Sequence, residues 1–177
     1  MLLFLNIDCV LTPPSDAIGP DYDSATGVRR LEALLGTWPQ LRAVITSDRR
    51  YRMTLQHFRS FFSMPLRHRL IATTPLYGLR HGEPKRRREE EIADWLQRTG
   101  LTDDGEWLAL DDSRADYARH ARRLVACDTL TREAVVELHE QLMRWAFEHQ
   151  TVVRLPEGGR RPDALSRRPE TQPMRLQ

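Results

Sequence analysis

Lysine is nearly missing from this sequence: of 27 basic residues, 26 are Arg and the single exception is Lys85. Arg is a planar fork and Lys a compact point charge, so position 85 is marked as one that needs the latter. Cysteine is scarce. Cys9 and Cys127 match no metal-ligand spacing, and the six His are scattered, which excludes a zinc site. The longest opening apolar run, Leu2 to Leu5, is far too short to span a bilayer and lacks the basic region and length of a signal peptide. No membrane association is expected, and the two cysteines read as reduced residues of a cytoplasmic protein. There is no Gly-rich phosphate loop of either common type and no G-x-S-x-G elbow. An excess of either charge is also lacking: residues 1–150 carry 21 basic and 22 acidic residues. That body is not a basic nucleic-acid platform. The basicity sits in residues 151–177, with six Arg against three acids.

The patterning that remains is an alternation of strands and helices. Leu2 to Leu5 suits a strand buried on both faces, and it ends in Asn6-Ile7-Asp8. Residues 12–23, with three Pro, a Gly and several small polar residues, read as loop. Ser24 starts a helix to about Leu35 with Val28, Leu31, Leu34 and Leu35 on one face. Leu41 to Ile45 is a second strand, followed by a helix over 49–62 with Tyr51, Leu55, Phe58 and Phe62 inward. Arg69 to Thr73 is a third strand. A charged helix spans Lys85 to Thr99, with Ile92, Trp95 and Leu96 as its buried stripe. A fourth strand covers 106–110, a short helix 114–120, a fifth strand 123–127 and a long helix 131–149. This predicts an α/β domain over 1–150 with a five-stranded parallel sheet, and a basic, disordered tail over 151–177.

Three strands end in polar clusters, which a parallel sheet brings to one edge: Asn6 and Asp8, Thr46, Ser47 and Asp48, and Asp111 and Asp112. Lys85 opens a helix near them. Carboxylates beside a hydroxyl and an ammonium suit a phosphate held with Mg²⁺, which takes oxygen ligands, while Lys and Thr bind phosphoryl oxygens. Each piece also has a plainer role. Asp111-Asp112 and Thr46-Ser47 can cap the helices that follow them, and Lys85 can be an ordinary first-turn cation. A generic α/β binding protein with an incidental acidic edge is the reading that remains if these residues prove scattered.

Together the clusters resemble the haloacid dehalogenase (HAD) superfamily. Its first motif, D-x-D-G-[VT]-L, corresponds to Asn6-Ile7-Asp8-Cys9-Val10-Leu11; its second to Val44-Ile45-Thr46-Ser47; its third to Lys85; its fourth to Asp111-Asp112. The phrases "VITSDRR", "WLALDDS" and "LVACDTLT" resemble the HAD domain of Swiss-Army-knife RNA-repair proteins. The resemblance implies a three-layer Rossmann-like fold with strand order 5-4-1-2-3 and no cap domain. It also implies Mg²⁺-dependent phosphomonoester hydrolysis through an aspartyl-phosphate. Position 6 would be the nucleophile and Asp8 the general acid and base. Thr46, Ser47 and Lys85 would hold the phosphoryl group; Asn6, Asp8, Asp111 and Asp112 would serve the metal. A capless site suits a large phosphorylated substrate, such as a nucleic-acid end. Two departures stand out. Asn6 replaces the nucleophilic Asp, and an amide is not a competent nucleophile, so turnover is expected to be small or absent. Cys9 replaces a Gly, which restricts the backbone there if positive φ is required. The alternative is an inactive phosphate- or nucleic-acid-end-binding pseudoenzyme, with the Arg-rich tail as a nucleic-acid contact.

Overall fold

Alternating side chains on one short strand, Leu2–Leu5 (β1), divide the molecule into two packing layers. Leu3 and Leu5 face one side and Phe4 the other; all three are fully buried. The computed structural model describes residues 1–11, 24–77, 87–102 and 106–148. A one-turn helix, Asp8–Leu11 (α1), follows β1 and leads to Ser24–Thr37 (α2). Then come Arg42–Ile45 (β2), a 3₁₀ turn at Asp48–Tyr51, Leu55–Ser60 (α3), Met64–Arg67 (α4) and Leu70–Thr73 (β3). Arg88–Arg98 (α5) and Trp107–Asp111 (β4) precede two 3₁₀ turns at Arg114–Tyr117 and Ala121–Arg123. Leu124–Ala126 (β5) and Arg132–Glu148 (α6) complete the described fold.

All four strand pairings are parallel, and the order is β3-β2-β1-β4-β5, the expected 5-4-1-2-3 read from the other edge. Leu3 and Leu5 pack with Ala43, Ile45, Leu108 and Leu110 against Leu31 and Leu35 of α2, Phe58 of α3 and Leu138 and Leu142 of α6. On the opposite face Phe4, Val44 and Ala109 meet Ile92, Trp95 and Leu96 of α5, the stripe predicted from spacing. Phe4 lies edge-on to both Trp95 and Trp107, with centroids 5.6 Å apart in each pair. Such contacts add about 0.5–1.5 kcal/mol each beyond area burial.

The helix expected over 49–62 is instead broken in two. Ser47 caps a tight 3₁₀ turn by accepting from the Arg49 N–H at 3.1 Å. Thr54 then starts α3, its hydroxyl accepting from the His57 N–H at 3.3 Å while the His57 ring accepts from the Thr54 N–H. Two local caps outcompete the continuous apolar stripe. The short helix expected at 114–120 is a single 3₁₀ turn at Arg114–Tyr117, and a second turn, Ala121–Arg123, follows beyond it. Helix α5 begins at Arg88; Lys85, the loop before it and the tail 151–177 lie outside the described residues.

Candidate active site

Strand register does most of the positioning. Leu5 pairs with Ile45 on one side and with Leu110 on the other, so the next residues, Asn6, Thr46 and Asp111, leave the sheet at one level. Backbone bonds extend the ladder to them: the Asn6 N–H donates to Leu110 and the Thr46 N–H to Leu5, each at 2.9 Å. By the two-residue alternation, Asn6 continues the row of Phe4, Thr46 that of Val44, and Asp111 that of Ala109. All three therefore belong to the α5 side of the sheet.

Asn6 is 5% exposed and sits at the centre. Its amide nitrogen donates to Asp112 Oδ1 at 2.9 Å and to Asp111 Oδ1 at 3.3 Å. Its oxygen accepts from the Asp8 N–H at 3.2 Å, which starts α1. Asp8, half-buried, accepts from the Ser47 hydroxyl at 2.6 Å on one oxygen and pairs with Arg49 Nε on the other. Ser47 thus caps a turn and touches Asp8 at once. Thr46 is fully buried, and its hydroxyl has no hydrogen-bond partner among the described residues. An unmet buried hydroxyl costs about 1–3 kcal/mol, which a ligand oxygen would relieve. Asn6, Asp8, Ser47, Asp111 and Asp112 are joined by direct contacts, so the clusters are not scattered.

Asp111 is fully buried. One of its oxygens accepts from Asn6 and from the Ser113 N–H at 3.1 Å; the other accepts from the Tyr117 hydroxyl at 3.1 Å and lies 3.8 Å from Arg88 Nε. Burial, reinforced by the Asp112 side chain, pushes its carboxyl up to about 6 despite the donors from Ser113, Arg88 and Asn6. Burial and the Asp111 charge likewise raise Tyr117 well above the usual phenol range, keeping it a donor.

Beneath these groups runs a network that residue patterning did not single out. Arg50, 5% exposed, donates to the Thr46 and Ser47 carbonyls and pairs with the buried Glu91. Arg88 meets Asp48 at 2.8 Å and Glu91 at 3.2 Å as well as Asp111. Burial opposes the charge on Arg88, but Asp48 and Glu91 outweigh it and raise its pKa. Burial also raises Glu91 against the pull of both arginines. The signal was present: Arg88 lies four residues before Ile92, on the buried stripe of α5, and Arg49-Arg50 directly follow Thr46-Ser47-Asp48.

The family model for the HAD domain in Swiss Army Knife RNA repair proteins matches residues 2–135. The chain belongs to this HAD family. No curated protein and no solved structure matches it.

Within this HAD domain, the departure at position 9 has no backbone consequence. Cys9 lies in α1, and no non-Gly residue among those described has positive φ. Its thiol is pushed up well above the usual range, first by hydrogen bonding to Cys127 and then by burial; both cysteines are free. The departure at position 6 does have a consequence. Among the described residues no group of three or more His, Cys, Asp or Glu is placed to hold a metal ion. The oxygens of Asn6, Asp111 and Asp112 fit Mg²⁺ in kind, but the Asn6 nitrogen, not its oxygen, faces the carboxylates. A cation there requires the amide to turn over. No helix among the described residues is long and apolar enough to cross a membrane.

Proposed function

We propose that this chain is a HAD-type phosphomonoesterase domain whose covalent step is blocked at Asn6, leaving a site that binds a phosphorylated end with little or no turnover. The observation that carries this reading is Asn6 itself. A neutral amide stands where the attacking carboxylate belongs, hydrogen-bonded to both acids of the fourth motif. Its nitrogen lone pair is delocalised and its oxygen carries no full charge, so attack on phosphorus is lost. The other motif residues that are described support the reading. Asp8 is held by Ser47 and Arg49 in position to give or take a proton at its carboxyl oxygens. The Thr46 hydroxyl is unmet and fit to donate to a phosphoryl oxygen, with Ser47 beside it and Lys85 as the expected cation. Mg²⁺ would be held by Asn6 Oδ1, Asp111 and Asp112, near Asp8, and when bound would neutralise phosphoryl charge.

The substrate class this reading favours is a phosphorylated nucleic-acid end, supported by the family's description. Two free cysteines support a reducing, cytoplasmic setting. The test compares the unaltered chain with Asn6→Asp on phosphorylated nucleotides, oligonucleotide ends and peptides. Asn6→Asp is expected to raise Mg²⁺-dependent phosphate release by a factor on the order of a thousand or more. Substantial Mg²⁺-dependent release by the unaltered chain would overturn the block. Silence of both chains would overturn the phosphomonoesterase reading and leave the binding pseudoenzyme.

A further inference from the structure

The stretch between β4 and β5 leaves the site edge two residues after Asp111 and ends where β5 starts beside Ala109, so it crosses the flank of the sheet. Its inward groups pin it along that path. Tyr117 is fully buried on Asp111. Glu89 accepts from the Arg119 N–H at 2.8 Å and approaches the His120 ring at 3.4 Å. His120 packs on Trp107, and the Arg123 guanidinium lies 4.8 Å over the same indole. The outward groups are Arg114, Arg119 and Arg122, all exposed. None of their side chains has an ion pair or hydrogen bond among the described residues. Residues 113–123 contain four Arg and a single acid, Asp116, in a body of 150 residues whose charges balance overall.

A pinned backbone that presents three exposed guanidinium groups, without a partner among the described residues, on a stretch starting at the rim of the site suits a polyanion that enters that site by its end. We infer that Arg114, Arg119 and Arg122 form a track for the sugar-phosphate backbone of a single-stranded nucleic acid whose terminus reaches Asn6 and Thr46. For the placement of that terminus the inference rests on the phosphoryl-site reading; the track itself does not. The stretch offers no exposed aromatic ring for base stacking: Tyr117 and Trp107 are 0% and 2% exposed, and the His120 ring is packed on Trp107. Binding is therefore by charge and indifferent to sequence. This assigns strand binding to the folded domain, and not to the Arg-rich tail.

The experiment measures binding of a fluorescent single-stranded oligonucleotide lacking any terminal phosphate, across a salt series. The full-length chain is compared with Arg114→Glu/Arg119→Glu/Arg122→Glu, and with a full-length variant in which Arg154, Arg160, Arg161, Arg167, Arg168 and Arg175 are all Gln. The triple variant is expected to bind about tenfold or more weakly at about 50 mM salt. Its slope of log affinity against log salt should be shallower by about 2, as three lost phosphate contacts at about 0.7 each require. The tail variant should keep most of the binding, and two oligonucleotides of unrelated sequence should bind alike. Unchanged affinity and slope in the triple variant overturn the track, as does loss confined to the tail variant or failure of the unaltered chain to bind. Equal competition by an acidic peptide of the same charge would make the surface a protein contact and overturn it too. In the Asn6→Asp background, hydrolysis of a small phosphomonoester should be unaffected by the three substitutions. That readout separates failure of the track from failure of the phosphoryl site.

Discussion

The two faces of the sheet are built on different principles. The face toward α2, α3 and α6 is filled mostly with Leu, Ile, Val and Phe from nine elements, and none of the buried charges belongs to it. The face toward α5 begins the same way, with Phe4, Val44 and Ala109, and then turns polar at the strand ends: Asn6, Thr46 and Asp111. Behind them lie Arg50, Arg88 and Glu91, each no more than 5% exposed. Buried ion pairs contribute little net stability over a hydrophobic filling, yet breaking one is expensive. Their use here is positional. Arg50 holds the carbonyls of Thr46 and Ser47 in place, Arg88 holds Asp48 and faces Asp111, and Glu91 joins the two arginines. One face holds the sheet together and the other aims the strand ends.

That division predicts opposite phenotypes for two core substitutions. Glu91→Ala leaves two arginines buried without their shared partner, and should cost about 3–5 kcal/mol of stability. It should also weaken binding of inorganic phosphate in the protein that remains folded, because the Thr46-Ser47 carbonyls lose their anchor. Leu35→Ala on the other face opens a cavity and should cost about 2–5 kcal/mol, with phosphate affinity unchanged below the melting transition. Chemical denaturation and isothermal titration on both variants check this. Equal loss of phosphate affinity in the two would erase the distinction between the faces.

The polar face should also set how stability depends on pH. Asp111 titrates at about 6 in the folded protein, against 3.8 ordinarily, so the native state binds its proton more tightly than the unfolded chain. Stability must then fall as pH rises between those values and stay low above them. The full drop is on the order of 3 kcal/mol for two pK units. Glu91, raised by burial, pulls in the same direction. Melting in the presence of a chelator at pH 5 and pH 7 should show the protein less stable at pH 7, and Asp111→Asn should flatten the difference. Stability that rises over this range would contradict the placement of Asp111 as a buried, cation-free carboxyl.

Most of this architecture was legible in the residues, and the exceptions have physical causes. Apolar runs ending in polar pairs located β1, β2 and β4, and parallel pairing then forces Asn6, Thr46 and Asp111 to one level. The break at Met53-Thr54 was hidden because Tyr51, Leu55, Phe58 and Phe62 keep helical spacing across it, while the Thr54 cap acts through two local hydrogen bonds. Arg50, Arg88 and Glu91 were hidden because charged residues are presumed to face water. Only the three-dimensional meeting of α5 with the loop after β2 shows that they satisfy one another. Motif spacing marks Asn6 as a lost nucleophile. What spacing could not show is that its amide bridges Asp111 and Asp112 from the inside.

The smallest expected effect separates two arginine–carboxylate pairs that are neighbours in sequence. Arg50 and Glu91 are each about 1% exposed at the side chain, whereas Arg49 and Asp8 are 38% and 35% exposed. Water screens the second pair, and exposed pairs of this kind couple by about 0.2–1 kcal/mol. A double-mutant cycle with Arg49→Ala and Asp8→Asn should therefore give a coupling within that range that shrinks as salt is added. The corresponding cycle at Arg50 and Glu91 should be larger and nearly salt-independent. The weakness of the outer pair suits its place beside the proposed phosphate site: an anion arriving at Thr46 would draw Arg49 from Asp8 at small cost. Accordingly, Arg49→Ala should lower inorganic phosphate affinity by a larger free energy than it lowers stability. If its effect on stability proved the larger of the two, Arg49 would belong with Arg50 as a structural tie, and the functional boundary would have to be drawn outside it.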